Sequence, residues 1–364
     1  MKRRQLLVAA SLLPFTKIAL ASDFASFMKE QEEGAKALGT EFEVYQAAYL
    51  KEFAAYKKDI EKEWDEARTS SPSTWVSYKD NKKSRTTLDY QENTVEVAIR
   101  ADDKPTPEKI KKEIEKAIQT PATKALKEDP VLNKVNSKPV PIGDVLMAGI
   151  AMSTQVIAKL IDQAKTVVDQ DSKGEYIKVT VKLPEAAKTG RVAQFIPAVK
   201  KYSREFKVDP ALVLAVMHTE SHFNPLAQSH IPAFGLMQIV PNSAGKDVQR
   251  LIHKRNKAPS SSMLFNPDIN IQHGCAYLHI LNYRYLKAIK NKQSREHCCI
   301  AAYNTGAGNV AKAFTGKTNV NTAAKIINRM SPDEVYQHLR KHLKYEEARN
   351  YVRKVNQYKT LYTV

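Results

Sequence analysis

The chain has 364 residues, enough for two ordinary domains, of which 43% are hydrophobic and 26% charged; this balance excludes a disordered or fibrous chain and fits a globular one. The formal net charge of +18 is unevenly placed: residues 191–364 carry 26 Lys and Arg against 10 Asp and Glu, a net of +16, whereas residues 22–190 carry a net of −2. A basic second half suits an anionic partner such as nucleic acid, a membrane surface or a cell wall, or serves solubility alone.

In chain order, Met1-Lys2-Arg3-Arg4 is a basic start, Leu6 to Phe15 an uncharged apolar run, and Ala19-Leu20-Ala21 a small-x-small cleavage site. Together they predict a secretory signal peptide over residues 1–21 and a mature chain from Ser22 in the periplasm. The run is shorter than the roughly 20 apolar residues that span a bilayer. Arg3-Arg4 leaves twin-arginine export open beside the general route. Export argues against nucleic acid, as does the lack of aromatic residues interleaved with the basic stretches.

Residues 25–66, rich in Glu, Lys and Ala with spaced apolar positions, predict one or two exposed amphipathic helices. Over residues 74–100 the period changes to that of strands, with turns at Asp80-Asn81 and Glu92-Asn93. Pro105 to Gln119 predicts a helix, residues 145–161 a core or partner-facing helix, and Tyr176 to Leu183 a half-buried strand. Residues 22–190 are therefore expected to form an α+β domain with nothing catalytic in it. Pro184 to Gly190 reads as the junction, and residues 191–364 as a mainly helical domain. Within it, Asp209 should cap a helix that has Pro210 at its first position and Glu220 at its end.

The three cysteines are Cys275, Cys298 and Cys299. In an oxidising compartment they allow one disulfide and one free thiol, with Cys298 and Cys299 equally eligible to pair with Cys275, or simply three buried thiols. No CxxC pair or paired-histidine spacing accompanies them, so neither a metal site nor a cofactor is expected.

Three segments carry chemistry. Glu220 ends an apolar helix, where desolvation favours the protonated acid, and glycosidic cleavage needs a protonated carboxyl beside the leaving oxygen. Gly235-Leu236-Met237-Gln238 offers a close backbone approach, an apolar contact and an amide suited to a sugar. Ala302-Tyr303-Asn304 supplies a phenol and a second amide. Each alone is as readily a solvated helix end or core packing.

Their order and spacing resemble the soluble lytic transglycosylase domain of bacterial cell walls. Phe223-Asn224-Pro225, the run from Phe265 to Leu278 (FNP-x-x-NI-x-x-G-x-x-YL) and Tyr351-Val352 extend the likeness over residues 191–364. Within that family, AGKDV at Ala244 to Val248, AAYN-x-GAG at Ala301 to Gly308 and KVN at Lys354 to Asn356 are most similar to the membrane-bound lytic murein transglycosylase C branch. So is the α+β domain placed ahead of the helical one.

The resemblance implies a lysozyme-like fold for the second domain and peptidoglycan glycan strands as substrate. Glu220 is then the catalytic acid and base, and Ser221 the residue beside it that orients polar groups. Gly235, Met237 and Gln238 form the floor of the glycan groove, Tyr303 and Asn304 flank the acid and the muramoyl sugar, and Tyr351 is a further tyrosine near the acid. Peripheral association with the outer membrane or an envelope-spanning machine also follows from the branch. Two departures stand out. No cysteine follows the leader to carry that branch's lipid anchor, and Thr305 stands where glycine is common. A goose-type hydrolase and a non-catalytic wall-binding protein are the competing readings, and oligomeric state is not legible.

Overall fold

The structure, a computed structural model, describes residues 41–103, 105–135, 143, 145–229 and 233–362. The expected signal peptide lies outside the described residues.

The first half holds helix α1 (Glu41–Ile60), strands β1 (Thr74–Lys79), β2 (Ser84–Asp89) and β3 (Thr94–Arg100), helices α2 (Pro107–Gln119), α3 (Ala122–Glu128) and α4 (Thr154–Asp162), and strands β4 (Lys165–Asp171) and β5 (Gly174–Lys182). The strands form one antiparallel sheet in the order β1-β2-β3-β5-β4. The expected turns are present: Asp80, Asn81 and Asn93 take positive φ, a conformation that Asn and Asp tolerate better than most residues. Register aligns Trp75 with Leu88, Leu88 with Val95 and Val95 with Val181, so one apolar row crosses four strands and is buried along its length. Against the sheet packs α2, with Thr106 accepting from the Lys109 amide as its cap and Ile110, Ile114 and Ile118 buried.

Three expectations for this half need correction. Within residues 25–66 the described helix is α1, and it is not simply exposed: Tyr49, Leu50, Phe53 and Ile60 are buried, because α1 is covered by the rest of the molecule rather than by water. Over residues 145–161 only the end is helical. Ser153 caps α4 by accepting from the Val156 amide, while Met147 and Ala148 are buried in a turn whose backbone pairs with Thr120 and Ala122. The segment read as a junction is itself helical, α5 (Glu185–Ala193). There Gly190 lies so close to Gly149 that a Cβ on it would stand 2.7 Å from the Gly149 carbonyl. β4 was not foreseen.

The second half continues with α6 (Ile196–Phe206), α7 (Pro210–Ser221), α8 (Lys246–Ile252), α9 (Pro267–Ile280), α10 (Lys292–Thr305), α11 (Ala307–Thr315), α12 (Val320–Ile327), α13 (Pro332–His342) and α14 (Glu346–Lys359). Asp209 accepts from the Ala211 amide at 2.9 Å and Pro210 opens α7, as expected. Every residue from Leu212 to Met217 is buried, so α7 is a core helix, packed on α6 and α14. Cys275, Cys298 and Cys299 are buried free thiols.

The halves meet around the loop that follows α7. Asn224, wholly buried, donates to the carbonyls of Ser71 at 3.4 Å and Pro72 at 3.2 Å, and Tyr49 donates to Gln228 Oε1 at 3.0 Å. Replacing Asn224 by Ala removes both bonds to these part-buried carbonyls and the bond from the Leu226 amide, each worth about 0.5–1.5 kcal/mol. Urea unfolding of Asn224→Ala should show a loss of that order, and a change under ~0.5 kcal/mol would mean that these bonds do not hold the halves together.

Candidate active site

Glu220 lies in the last turn of α7. Helix α7 ends at Ser221, and His222 (φ 49°) and Phe223 (φ 65°) then take two successive left-handed conformations, which are costly for bulky residues. The chain thereby turns back on itself within two residues. Asn224 closes the turn by accepting from the Leu226 amide at 3.0 Å, and the following loop passes beneath the end of α7.

That loop is held rigidly. Ser221, with no exposed surface, donates its hydroxyl toward the carbonyls of Met217 at 3.0 Å and Leu236 at 2.7 Å. It is a buried brace between helix and loop. Phe234 and Ile239 exchange backbone hydrogen bonds around a tight turn, and Gly235 sits there at φ +73°, where a Cβ would stand 2.4 Å from both Asn270 and the Leu264 carbonyl. Asn270 is the hub. It accepts from the Met237 amide at 2.8 Å and donates to the carbonyls of Phe234 and Leu264 at 2.8 and 2.7 Å.

Two of the residues expected at the groove floor, Met237 and Gln238, are themselves packed and hydrogen-bonded within the loop. Met237 is fully buried. Its thioether is turned away against Gly274, whose missing side chain makes the room, so Met237 supports the floor from below. Gln238 is half-buried, and its amide donates to the carbonyls of Ala227 and Gly235, each at 3.0 Å, stiffening the loop.

Two phenols converge on Glu220. Tyr351, from α14, donates to Glu220 Oε1 at 2.7 Å. Tyr303, from α10, donates to the Met237 carbonyl at 2.8 Å, stands edge-on to Tyr277 at 5.5 Å, and is close enough that the Glu220 charge helps raise its pKa. Asn304 follows, half-buried, and Asn309 ties Thr305 into the next turn at 2.8 Å.

The carboxyl of Glu220 is raised from 4.5 to about 8. Burial is the main cause; the Tyr351 hydrogen bond opposes it, and the charge of Glu347 adds to it. No cation enters the balance. Glu347, exposed in the first turn of α14 four residues before Tyr351, was not singled out from the sequence. The helical spacing that puts it on the Tyr351 face was the available signal. Asp268 and Asp247, the acids next after Glu220 in sequence, accept instead from Tyr202 and Tyr285. The arrangement thus presents one carboxyl, protonated at neutral pH, that can give a proton to an oxygen and take one back.

Comparison with known proteins agrees with this geometry. Residues 197–327 match the family model described as Transglycosylase SLT domain. Membrane-bound lytic murein transglycosylase C of Salmonella paratyphi B is 35% identical over 334 residues, covering 86% of this chain and 91% of that protein. The protein of the same name from Sodalis glossinidius is 34% identical over 310 residues, covering 83% and 86%. This chain belongs to the lytic murein transglycosylase C family. Among solved structures, the lytic transglycosylase Slt of Pseudomonas aeruginosa aligns at 24% identity with a TM-score of 0.35, over 45% of this chain and 23% of that one.

The raised carboxyl has a measurable consequence for stability. Folding holds a proton on Glu220 that the unfolded chain releases, so between about pH 4.5 and about 8 the unfolded state binds fewer protons and stability falls as pH rises. Glu220→Gln abolishes this term. Urea unfolding should show the variant more stable than wild type at pH 8, with the gap closing by pH 4; a gap independent of pH would mean that the carboxyl titrates normally.

Proposed function

We propose that the chain is a peptidoglycan lytic transglycosylase, with Glu220 as its single acid and base. The observation that carries this reading is the Glu220 carboxyl, kept protonated at neutral pH by burial and held by the Tyr351 phenol. The substrate class comes from the family to which the chain belongs. The helical half is read as the lysozyme-like catalytic domain over residues 191–364, and residues 22–190 as the domain that precedes it.

The reaction needs one carboxyl because the substrate supplies the rest. Glu220 protonates the glycosidic oxygen between N-acetylmuramic acid and N-acetylglucosamine. As that bond breaks, the muramoyl N-acetyl oxygen attacks its own anomeric carbon. The Glu220 carboxylate then takes the proton of the sugar's 6-hydroxyl, whose oxygen displaces the acetyl oxygen and closes a 1,6-anhydro ring. No water is consumed. Gly235 and Gln238 shape the floor beneath the sugar, Tyr303 and Asn304 line the flank, and Ser221 and Met237 hold the floor in place. The export signal over residues 1–21 puts the enzyme in the periplasm, where its glycan lies. Among the described residues, no helix is long and apolar enough to cross a membrane.

One observation favours a second reading. Glu347 adds a nearby carboxylate, and a carboxylate that activated water would make the enzyme a goose-type hydrolase. The end group decides. Mass spectrometry of digested glycan should show 1,6-anhydromuramoyl ends, lighter by one water than hydrolysed ends, and mainly reducing ends would replace this mechanism with hydrolysis. Glu220→Gln should lose ~10²- to 10⁴-fold or more in turnover; retention of a tenth of wild-type rate would remove Glu220 from the chemistry.

Tyr351→Phe tests the phenol. Its hydrogen bond favours the Glu220 carboxylate, so its loss raises the carboxyl further and stabilises the second-step base less. The alkaline limb of the pH–rate profile should move up from near pH 8, while turnover falls about tenfold. An unmoved limb would show that Tyr351 does not act through the acid.

A further inference from the structure

A cavity of about 260 Å³ lies at the seam of the two halves, away from the site above. Its wall is formed by Lys188 and Arg191 of α5, His218 and His222 at the end of α7, and Tyr358 and Tyr362 at the end of α14. His218 precedes Glu220 by two residues, roughly 200° around the helix, so it faces away from the acid. Tyr358 stacks on the His218 ring at 3.8 Å, and Tyr362 meets His218 Nδ1 at 2.9 Å. The cavity is therefore aromatic on one side.

On the other side it is cationic. Arg191 is 1% exposed and makes no ion pair among the described residues. Its guanidinium donates to the neutral Asn93 Oδ1 at 2.9 Å and to the carbonyls of Ala148 and Tyr90 at 3.4 Å each, and Nε has no partner. A buried cation with no carboxylate in contact is costly; the charges of Glu185 and Asp89 reach Arg191 only from beyond ion-pair distance, and burial outweighs them. Lys188 adds a second cation to the wall, with an exposed contact to Glu185 at 3.4 Å, and among the described residues no carboxylate lines the cavity. Asp89 is the acid whose charge reaches His222, against those of Lys354, Arg191 and Lys188. His222 itself has no side-chain hydrogen bond among the described residues.

We propose that this cavity binds the free carboxylate of a short apolar peptide, Arg191 and Lys188 taking the carboxylate and the rings of Tyr358, Tyr362 and His218 taking small alkyl side chains. Its volume accommodates two small residues. The choice of a peptide rests on the glycan-strand reading, because muramoyl sugars carry short peptides that end in a carboxylate. Such a site gives the enzyme a hold on the wall that is separate from the acid.

The test is calorimetric titration of the whole chain with acetyl-D-alanyl-D-alanine, its C-terminal amide and N-acetylmuramic acid, with the histidine ring signals followed by NMR. The dipeptide acid should bind saturably and shift the His218 and His222 signals. The amide should bind about tenfold more weakly, since it lacks the charge that the cations read. Arg191 also ties structural carbonyls and its variants can unfold, so Lys188→Glu, at an exposed position, is the decisive variant. It should weaken the acid about fivefold or more and leave turnover of peptide-free glycan unchanged. Equal binding of acid and amide, absence of saturable binding, shifts confined to the neighbourhood of Glu220, or an unchanged affinity in Lys188→Glu would each overturn the proposal. Equal competition by N-acetylmuramic acid would overturn the peptide as ligand. Binding is read without turnover, so a failure here leaves the end-group test of Glu220 standing, and the reverse holds as well.

Discussion

A half-buried carboxyl set among phenols and apolar side chains, with no cation among the described residues entering its balance, is the constraint on which the helical half depends. Desolvation of Glu220 is opposed only by one hydrogen bond from Tyr351. Had a lysine or arginine stood within contact, its charge would have drawn the proton off and left an ordinary carboxylate. The half carries a large positive excess, yet its cations lie elsewhere. What surrounds the acid is what excludes water: the wholly apolar run of α7, the Tyr351 face of α14, and the Tyr303 end of α10. The polar groups close by, Ser221 and Asn270, are buried and spend their hydrogen bonds on backbone carbonyls and amides, so they add rigidity without adding charge.

The loop beneath the acid is held from both halves. Its own half supplies Asn270 and Ser221; the first half supplies Tyr49 and the carbonyls of Ser71 and Pro72. The α+β half therefore helps to hold the loop that follows α7. Within the first half, Gly149 and Gly190 let two backbones approach more closely than any side chain would allow.

Local signals made much of the fold legible. Asp80-Asn81 and Asn93 mark turns through residue types that accept positive φ, and period-two alternation marks β1, β2, β3 and β5. Asp209-Pro210 marks the start of α7 through a cap and a fixed φ. β4 escaped because Val167 and Val168 are adjacent and the strand is largely exposed at the sheet edge, which leaves no alternation to read. Residues 145–152 are apolar in a turn that buries Met147, Ala148 and Met152, and apolarity without period does not separate a turn from a helix. At the candidate site, residues of the three motifs lie around one another through Tyr303 and the Met237 carbonyl, and the Glu220 carboxyl is raised as its helix-end setting suggested. The inward turn of Met237 was not legible, since it depends on the gap left by Gly274, 37 residues on. Nor was the Tyr351 bond to Glu220, which joins residues 131 apart.

That separation has a consequence for how the enzyme comes into being. A chain made from its N-terminus has Glu220 in place long before Tyr351 has been synthesised. Until α14 docks, the end of α7 lacks the helix that covers one side of it, so the carboxyl is wet and ionised, and an ionised carboxyl cannot protonate a leaving oxygen. With Glu220 as the proposed acid, lytic power arrives with the completed fold rather than with the appearance of that residue, and a chain that lacks α14 is inactive.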